Sequence, residues 1–296
     1  MIKETHLDAK SFLKFMKSSN SVSHILHEFA QMTKDLETNQ DLETTMTEEN
    51  ASKVFIQPLN GLKCIKTAFT REMAIAAKST SSYDVNKFLC MKDPTKDNLN
   101  QFWSLILNKN SNFIVMLSVN GKINHQYWNP EEGSEVECNE LKIRTIKVRE
   151  MDSYTTTWLQ LKPKNEVSSE IVHFHYTAWP ADNMTHSPIQ LASFISIVSD
   201  MTAWESKQRN QDAPASGPIV VHCSDGINKS GVFCLLDMCI TKVKKGESVS
   251  VPKALRMIRR VNGNYNIQPE NYVFCYNELY HFIIKGMMKF NWQPTI

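Results

Sequence analysis

The sequence predicts a single α/β (α+β) domain in which a central, mixed and twisted sheet is flanked by helices. Short runs of strand length lie in the middle of the chain, whereas runs with helical periodicity lie before and after them. The 296 residues contain no internal repeat and no low-complexity tract. Since nothing in the pattern indicates a second core, one mixed domain is the simplest interpretation.

The N-terminal region is predicted to form an amphipathic helix followed by a polar linker, together residues 1–48. Between Ser11 and Leu36, apolar side chains recur every three or four residues, as on one face of a helix, at Val22, Ile25, Leu26, Phe29 and Met32. Residues 37–50 lack apolar periodicity, which is typical of a linker. The main domain is therefore expected to occupy residues 49–290.

Five strands are predicted from two kinds of pattern. A continuous apolar run of strand length occurs at Phe113–Leu117 and, in a shorter form, at Ile219–Val221. The other three segments resemble half-buried strands, in which apolar and polar residues alternate: Leu141–Val148, Tyr154–Leu161 and Ile171–Tyr176. The order of the strands in the sheet does not follow from these patterns.

Helical periodicity returns after the last alternating strand. The segment Ile189–Trp204 places its apolar residues on one face, and a loop rich in turn-forming residues follows at 206–217. Three further helices are predicted toward the C-terminus, at Ser230–Lys244, Pro252–Arg260 and Pro269–Ile284.

Composition excludes several classes of function. The 33 Lys and Arg residues against 31 Asp and Glu leave a net charge of +2, too small for a broad surface that neutralises nucleic acid. No apolar run approaches the roughly 20 residues needed to span a bilayer, and the N-terminus lacks the apolar stretch of a secretory signal. We therefore expect a cytoplasmic protein with no membrane span and no nucleic-acid partner.

The cysteines and histidines do not predict a metal site. The 7 cysteines are odd in number and scattered, without a C-x-x-C pair, so neither a disulfide framework nor structural zinc is expected. His173 and His175 alternate along a predicted strand, and a metal pair there is conceivable. Because no third ligand is indicated, we expect them to be ordinary sheet residues.

The most informative segment is Pro218–Asp237, in which a short apolar strand, a loop and a helix follow one another. Loop amides and the N–H groups at a helix start can converge on one oxyanion, assisted by the positive end of the helix dipole. The same field is expected to lower the pKa of Cys223 and make its thiolate a nucleophile.

This segment, PIVVHCSDGINKSG, resembles the signature of the protein tyrosine phosphatases, H-C-x5-R-[ST]-G, with Cys223 in the nucleophile position. Residues 171–188 resemble the run into that family's mobile W-P-D loop, and residues 268–283 resemble its last motif and closing helix. The resemblance extends from about Glu49 to Ile284. It implies phosphotyrosine proteins as partners, no cofactor, and a phosphate-binding loop made of Ser224, Asp225, Gly226, Ile227, Asn228, Lys229 and Ser230.

Two departures from the family pattern put catalysis in doubt. Lys229 stands where the family has an Arg that clamps two phosphate oxygens, and loss of such a stabiliser costs on the order of 10²- to 10³-fold. Ala181 stands where the family has its general acid, which is typically worth about 10²- to 10⁴-fold. Asp182 is a weak substitute, since adjacent residues of an extended loop point in opposite directions.

Softer departures point the same way. Asn228 replaces a small glycine where the backbone must approach phosphate, and the residue pair that positions the hydrolytic water is reduced to Gln268 followed by proline. The resemblance therefore implies an inactive phosphatase that binds phosphotyrosine proteins or competes with active phosphatases for partners. The alternatives are a weak phosphatase that uses Cys223, and a scaffold whose phosphate cradle is empty. The chain is also similar to relatives from viruses carried by parasitoid wasps, which would place it in the host-cell cytoplasm.

Overall fold

The computed structural model describes residues 6–43, 87–119, 125–179, 190–208, 216–261, 265 and 267–290. Within these ranges the chain forms seven helices and seven strands. In chain order these are α1 (Ala9–Met16), α2 (Ser21–Glu43), β1 (Phe88–Lys92), α3 (Leu99–Asn108), β2 (Phe113–Val119), β3 (Glu135–Cys138), β4 (Leu141–Glu150), β5 (Tyr154–Pro163), β6 (Ser169–Trp179), α4 (Gln190–Gln208), β7 (Ile219–Cys223), α5 (Asn228–Lys244), α6 (Val251–Val261) and α7 (Pro269–Phe290).

All seven strands belong to one sheet, in the order β1-β7-β2-β6-β5-β4-β3. The strands β1, β7, β2 and β6 are parallel to one another, whereas β5, β4 and β3 continue the sheet in antiparallel pairs. The predicted fold class, a mixed sheet with helices around it, is confirmed. The strand β7, which leads to Cys223, lies between β1 and β2 in the parallel half.

Both faces of the parallel half are buried, and the side chains of β2 show why its sequence is continuously apolar. Phe113, Val115 and Leu117 enter a large core beneath the C-terminal helices, while Ile114 and Met116 enter a second core that contains residues of α3. Successive strand residues point to opposite faces, so a strand covered on both sides must be apolar at every position.

The N-terminal region departs from the prediction in two ways. It contains two helices in place of one, because a turn from Lys17 to Asn20 interrupts the helix. Asp8 caps α1 by accepting the Ser11 amide at 2.7 Å. Residues 37–43, predicted as linker, continue α2. The sequence still carries helix-forming residues there, and loss of apolar periodicity marks the end of a buried face better than the end of a helix.

These N-terminal helices pack on the main domain. Phe12 and Phe29 are buried in the same core as the C-terminal helices, and Phe12 stacks on Tyr276 with ring centroids 5.7 Å apart. The hydroxyls of Tyr272 and Tyr276 both donate to the Glu28 carboxylate, at 2.6 and 2.7 Å. Residues 44–48 lie outside the described ranges, so a domain boundary at residue 48 stays a prediction.

Three elements were not predicted, namely β1, α3 and β3. Near Cys223 the observed bounds also differ from the predicted ones, because β7 continues to Cys223 and α5 already begins at Asn228. The connection between them is therefore only residues 224–227. None of the helices in the described ranges is long and apolar enough to cross a membrane.

Candidate functional site

The site lies at the carboxyl end of the parallel strands, where β7 gives way to α5. Ligands of open α/β sheets usually bind at this edge. Cys223 is the last residue of β7 and its side chain is fully buried. Its carbonyl accepts the Asp93 amide at 2.9 Å, which fixes the end of the strand against the segment that follows β1.

The turn after Cys223 depends on Gly226. Its φ of +75° lies in the left-handed region, and a Cβ there would approach the Lys92 nitrogen to 2.7 Å and the Met91 carbonyl carbon to 2.8 Å. The Gly226 amide donates to the Cys223 carbonyl at 3.1 Å and closes the turn. The sequence PIVVHCSDG therefore turns sharply enough to place the start of α5 directly above Cys223.

A carboxylate, that of Asp225, lies inside this loop. Its Oδ1 accepts the amides of Ile227 and Asn228 at 2.9 and 3.0 Å and the Cys223 thiol at 3.2 Å. Its Oδ2 accepts the Asn228 side-chain amide at 2.6 Å. The loop amides that were predicted to bind an external oxyanion thus bind a side chain of the loop itself.

These contacts keep Asp225 ionised. Burial alone would raise its pKa, but the hydrogen bonds from the Ile227 amide, the Asn228 side chain and amide, and the Cys223 thiol outweigh that effect and lower the pKa. The carboxylate is therefore a permanent anion at neutral pH.

The pKa of the Cys223 thiol is shifted in the opposite direction, upward. Burial is the main cause that raises its pKa to about 11; the Ser230 hydroxyl, which donates to Sγ at 3.1 Å, opposes this shift, and the nearby Asp225 charge adds to it. The prediction of a lowered pKa at Cys223 is wrong. The reason is that the helix start acts on Asp225, whose charge and burial disfavour a second anion beside it.

Lys229 lies in the first turn of α5 and is only 9% exposed. Its Nζ lies 5.9 Å from the ring centroid of Trp179, the last residue of β6, a distance typical of a cation–π contact. Trp179 is itself buried and packs edge-on against Tyr176 and Phe274. Lys229 therefore connects the loop to the end of β6, directly before residues 180–189.

A buried chain of hydrogen bonds supports the strand beneath the loop. The Asp93 carboxylate bonds His222 Nδ1 at 2.8 Å, and the Tyr127 hydroxyl bridges His222 Nε2 and His173 Nε2, each at 2.7 Å. The donors alternate when His222 carries its proton on Nδ1 and His173 on Nε2. Burial lowers the pKa of His173 well below its usual range and raises the pKa of Tyr127 well above its usual range, so both side chains are neutral near pH 7.

The remaining predicted residues are placed less fully. Ala181 and Asp182 lie outside the described residues. Gln268 is exposed directly before α7, where its carbonyl accepts the Tyr272 amide at 3.1 Å, and its role in positioning water stays a prediction. His175 bonds the Ser118 hydroxyl of β2 at 2.6 Å and His173 bonds the Tyr127 hydroxyl, so both predicted sheet histidines are hydrogen-bonded. No set of three metal-ligating side chains occurs within the described ranges.

The role of Asp225 was not predicted, although a signal was present. The side chain of an Asp in a turn often accepts the backbone amides that follow it at short range, an arrangement called an Asx turn. The Asp93 and Tyr127 contacts had no such signal, since they join segments that are remote in sequence.

The pH dependence of Cys223 alkylation tests its protonation state. We expect the rate of reaction with iodoacetamide, followed by mass spectrometry of the Cys223 peptide, to rise with pH up to about 11, because only the thiolate reacts. Near pH 7 the thiolate fraction is about 10⁴-fold below unity. A rate that is already constant between pH 7 and pH 9 would contradict a raised pKa. Cys138, half-exposed on β3, provides an internal control for reagent activity.

Comparison with known proteins identifies the family to which the chain belongs. The family model described as protein-tyrosine phosphatase matches residues 50–281. The chain is 40% identical over 279 residues to "Probable tyrosine phosphatase protein J4" of Microplitis demolitor bracovirus (isolate Webb), covering 94% of this chain and 92% of that protein. It is 31% identical over 210 residues to "Tyrosine phosphatase H3" of the same virus, covering 70% and 65%. With "Tyrosine phosphatase-like protein H1" it shares 28% over 204 residues, covering 68% and 60%. The family match, which includes the loop that carries Cys223, and the 40% identical relative show that the chain belongs to the protein tyrosine phosphatase family.

Proposed function

We propose that the chain is an inactive tyrosine phosphatase-like protein that acts by binding. Its ligands would be phosphotyrosine proteins or the partners of active phosphatases, for which it competes. One observation carries the proposal: Cys223 is a buried thiol with a raised pKa that donates a hydrogen bond to an ionised Asp225. A nucleophile must give up this proton before it attacks phosphorus, and the neighbouring anion opposes that step.

Two sequence features support the same proposal. Lys229 offers a point charge where two parallel hydrogen bonds to phosphate are needed, and its ammonium lies against the Trp179 ring. Ala181 has no proton to donate to a leaving group. The fold around the loop is nevertheless retained, so surfaces that recognise partners of the family can persist without turnover.

A second candidate function is a scaffold that does not use the loop. It is favoured by the Asp225 carboxylate, which already accepts the amides of Ile227 and Asn228. In this version the Asp225 carboxylate fills the phosphate-binding loop, whereas the sequence predicted an empty loop for a scaffold. We place the action of either version in the cytoplasm of host cells, on the basis of the bracovirus relatives.

Turnover of an aryl phosphate tests the proposal directly. We expect the full chain and its Cys223→Ser variant to release phosphate at the same background rate. The Cys223 thiol of the unmodified chain is protonated, and the chain has Ala181 in place of a general acid and Lys229 in place of a phosphate-clamping arginine. Turnover by the unmodified chain clearly above the Cys223→Ser variant would establish a weak phosphatase instead.

A pull-down separates the two kinds of ligand. Immobilised full chain is presented with phosphorylated tyrosine peptides and with the same peptides after dephosphorylation. Preferential retention of the phosphorylated form supports phosphotyrosine binding. Equal retention contradicts the phosphotyrosine version and favours competition for partners or a scaffold.

A further inference from the structure

We propose that Asp225 is an internal anion that occupies the phosphate-binding loop, so that the loop accepts a phosphate group only when the Asp225 carboxylate turns away. This inference rests on the proposed function in one respect, since it takes the loop as the place where a phosphate ligand would enter. It assigns to Asp225 the role of deciding whether that ligand can bind.

The contacts of a single carboxylate oxygen carry the argument. Asp225 Oδ1 lies 3.2 Å from Cys223 Sγ and within 3.0 Å of the amides of Ile227 and Asn228. A phosphate oxygen that used the helix start next to the sulfur would require the same donors at the same distances. The carboxylate and a phosphate group therefore compete for one position.

A local Asx turn alone does not account for all of these contacts. An Asp in such a turn needs only backbone amides that follow it at short range. Asp225 also accepts a hydrogen bond from the Cys223 thiol at Oδ1 and one from the Asn228 side-chain amide at Oδ2. Asn228 stands where the resemblance implies a glycine, which has no side chain to donate. Asp225 and Asn228 together thus close the loop with two side chains of its own.

Electrostatics adds to the steric competition. A phosphate monoester carries up to two negative charges near neutral pH, and a second anion within hydrogen-bond distance is strongly disfavoured. Lys229, the lysine within residues 224–230, has its ammonium 5.9 Å from the ring centroid of Trp179. Phosphate entry therefore requires the Asp225 charge to leave the loop.

The movement required is small. Asp225 is partly exposed, whereas Cys223, Lys229 and Ser230 are buried, so the carboxylate can rotate toward solvent about its own side-chain bonds. The Gly226 turn can remain in place during that rotation, because the hydrogen bond from its amide to the Cys223 carbonyl does not involve the Asp225 side chain. A partner that offered a cation to the displaced carboxylate would open the loop.

Inorganic phosphate is the probe that tests this inference. The full chain, Asp225→Ala and Asp225→Asn are titrated with phosphate at constant ionic strength, and the melting temperature is recorded. We expect Asp225→Ala to bind phosphate about tenfold to a hundredfold more tightly than the unmodified chain, the value of one hydrogen bond to a charged group. Asp225→Asn keeps the shape but loses the charge, and it is expected to lie between the two.

Two controls place the effect in the loop. Asp152→Ala removes the same charge from an exposed turn and is expected to behave like the unmodified chain. In Asp225→Ala, phosphate is expected to slow alkylation of Cys223, because the bound ion would cover Sγ. Equal phosphate affinity of the unmodified chain and Asp225→Ala would overturn the inference. A gain in affinity without protection of Cys223 would overturn it as well.

The outcome is separable from that of the proposed function. If Asp225→Ala does not fold, Asp225→Asn decides alone, and affinity equal to that of the unmodified chain overturns the inference. Turnover by the unmodified chain would refute the proposed function, whereas the phosphate titration would still decide whether Asp225 fills the loop.

Discussion

A chain that carries Ala181→Asp, Lys229→Arg and Asp225→Ala together is expected to hydrolyse a phosphotyrosine peptide at least about tenfold faster than a chain with only the first two changes. The first two substitutions introduce the acid and the clamp that the family resemblance implies at these positions, which are typically worth about 10²- to 10⁴-fold and 10²- to 10³-fold, respectively. The third removes the anion that competes with phosphate. Initial rates of phosphate release, measured side by side, give the comparison.

The physical reason lies in the state of Cys223. With the acid and the clamp introduced, the thiol still lies beside an ionised carboxylate, which raises the pKa of the thiol and accepts a hydrogen bond from it. Asp225→Ala removes both effects, so the thiolate becomes easier to form, while the amides of Ile227 and Asn228 become available to phosphate. The gains are not expected to multiply fully, because residues that act on one transition state are rarely additive.

The controls separate catalysis from folding. Adding Cys223→Ser to the triple variant is expected to remove all turnover, and each variant must retain the thermal transition of the unmodified chain. Equal rates for the double and triple variants would show that Asp225 does not limit the reaction. Turnover in Asp225→Ala alone, at the level of the triple variant, would show that the acid and clamp positions were never limiting.

Much of the fold was accessible from the sequence because each predicted strand had a clear pattern. The apolar run at Phe113 corresponds to a strand covered on both faces, and the alternation from Leu141 corresponds to the antiparallel half of the sheet. The missed strands were short: β1 has 5 residues, four apolar ones followed by Lys92, and β3 has 4 residues, two of them glutamates. Runs of this length do not distinguish a strand from a loop without their neighbours.

The candidate site was predictable in its framework and not in its internal contacts. Strand, glycine turn and helix around Cys223 follow from local sequence, and the structure has them. The pKa of Cys223 was predicted in the wrong direction because the prediction treated the helix amides as available. Whether an amide is available depends on the orientation of one side chain, Asp225, and that orientation is set by the turn at Gly226 and by Asn228. Local patterns carry no information at this level.

The largest effect on stability is expected from Gly231→Ala, in the first turn of α5. A Cβ at this position would overlap the ring of Tyr265, which is buried and has little room to move. Overpacking of a core costs about 1 to 3 kcal/mol and occasionally more, and a direct overlap with a rigid ring places this variant at or above the upper end. We expect the melting temperature to fall by at least about 6 °C. Thermal unfolding followed by circular dichroism measures the loss.

A matched glycine provides the control. Gly286 is partly exposed near the end of α7, and a Cβ there would meet no atom of the described residues within 4 Å. Gly286→Ala is therefore expected to stabilise the chain by about 0.5 to 1 kcal/mol, because alanine loses less conformational freedom in a helix. In a Tyr265→Ala background, Gly231→Ala should cost much less than alone, since the overlapping ring is gone. An unchanged cost there would mean that the α5 backbone, and not Tyr265, requires glycine, and the close fit between Gly231 and Tyr265 would then contribute nothing to holding the loop above Cys223.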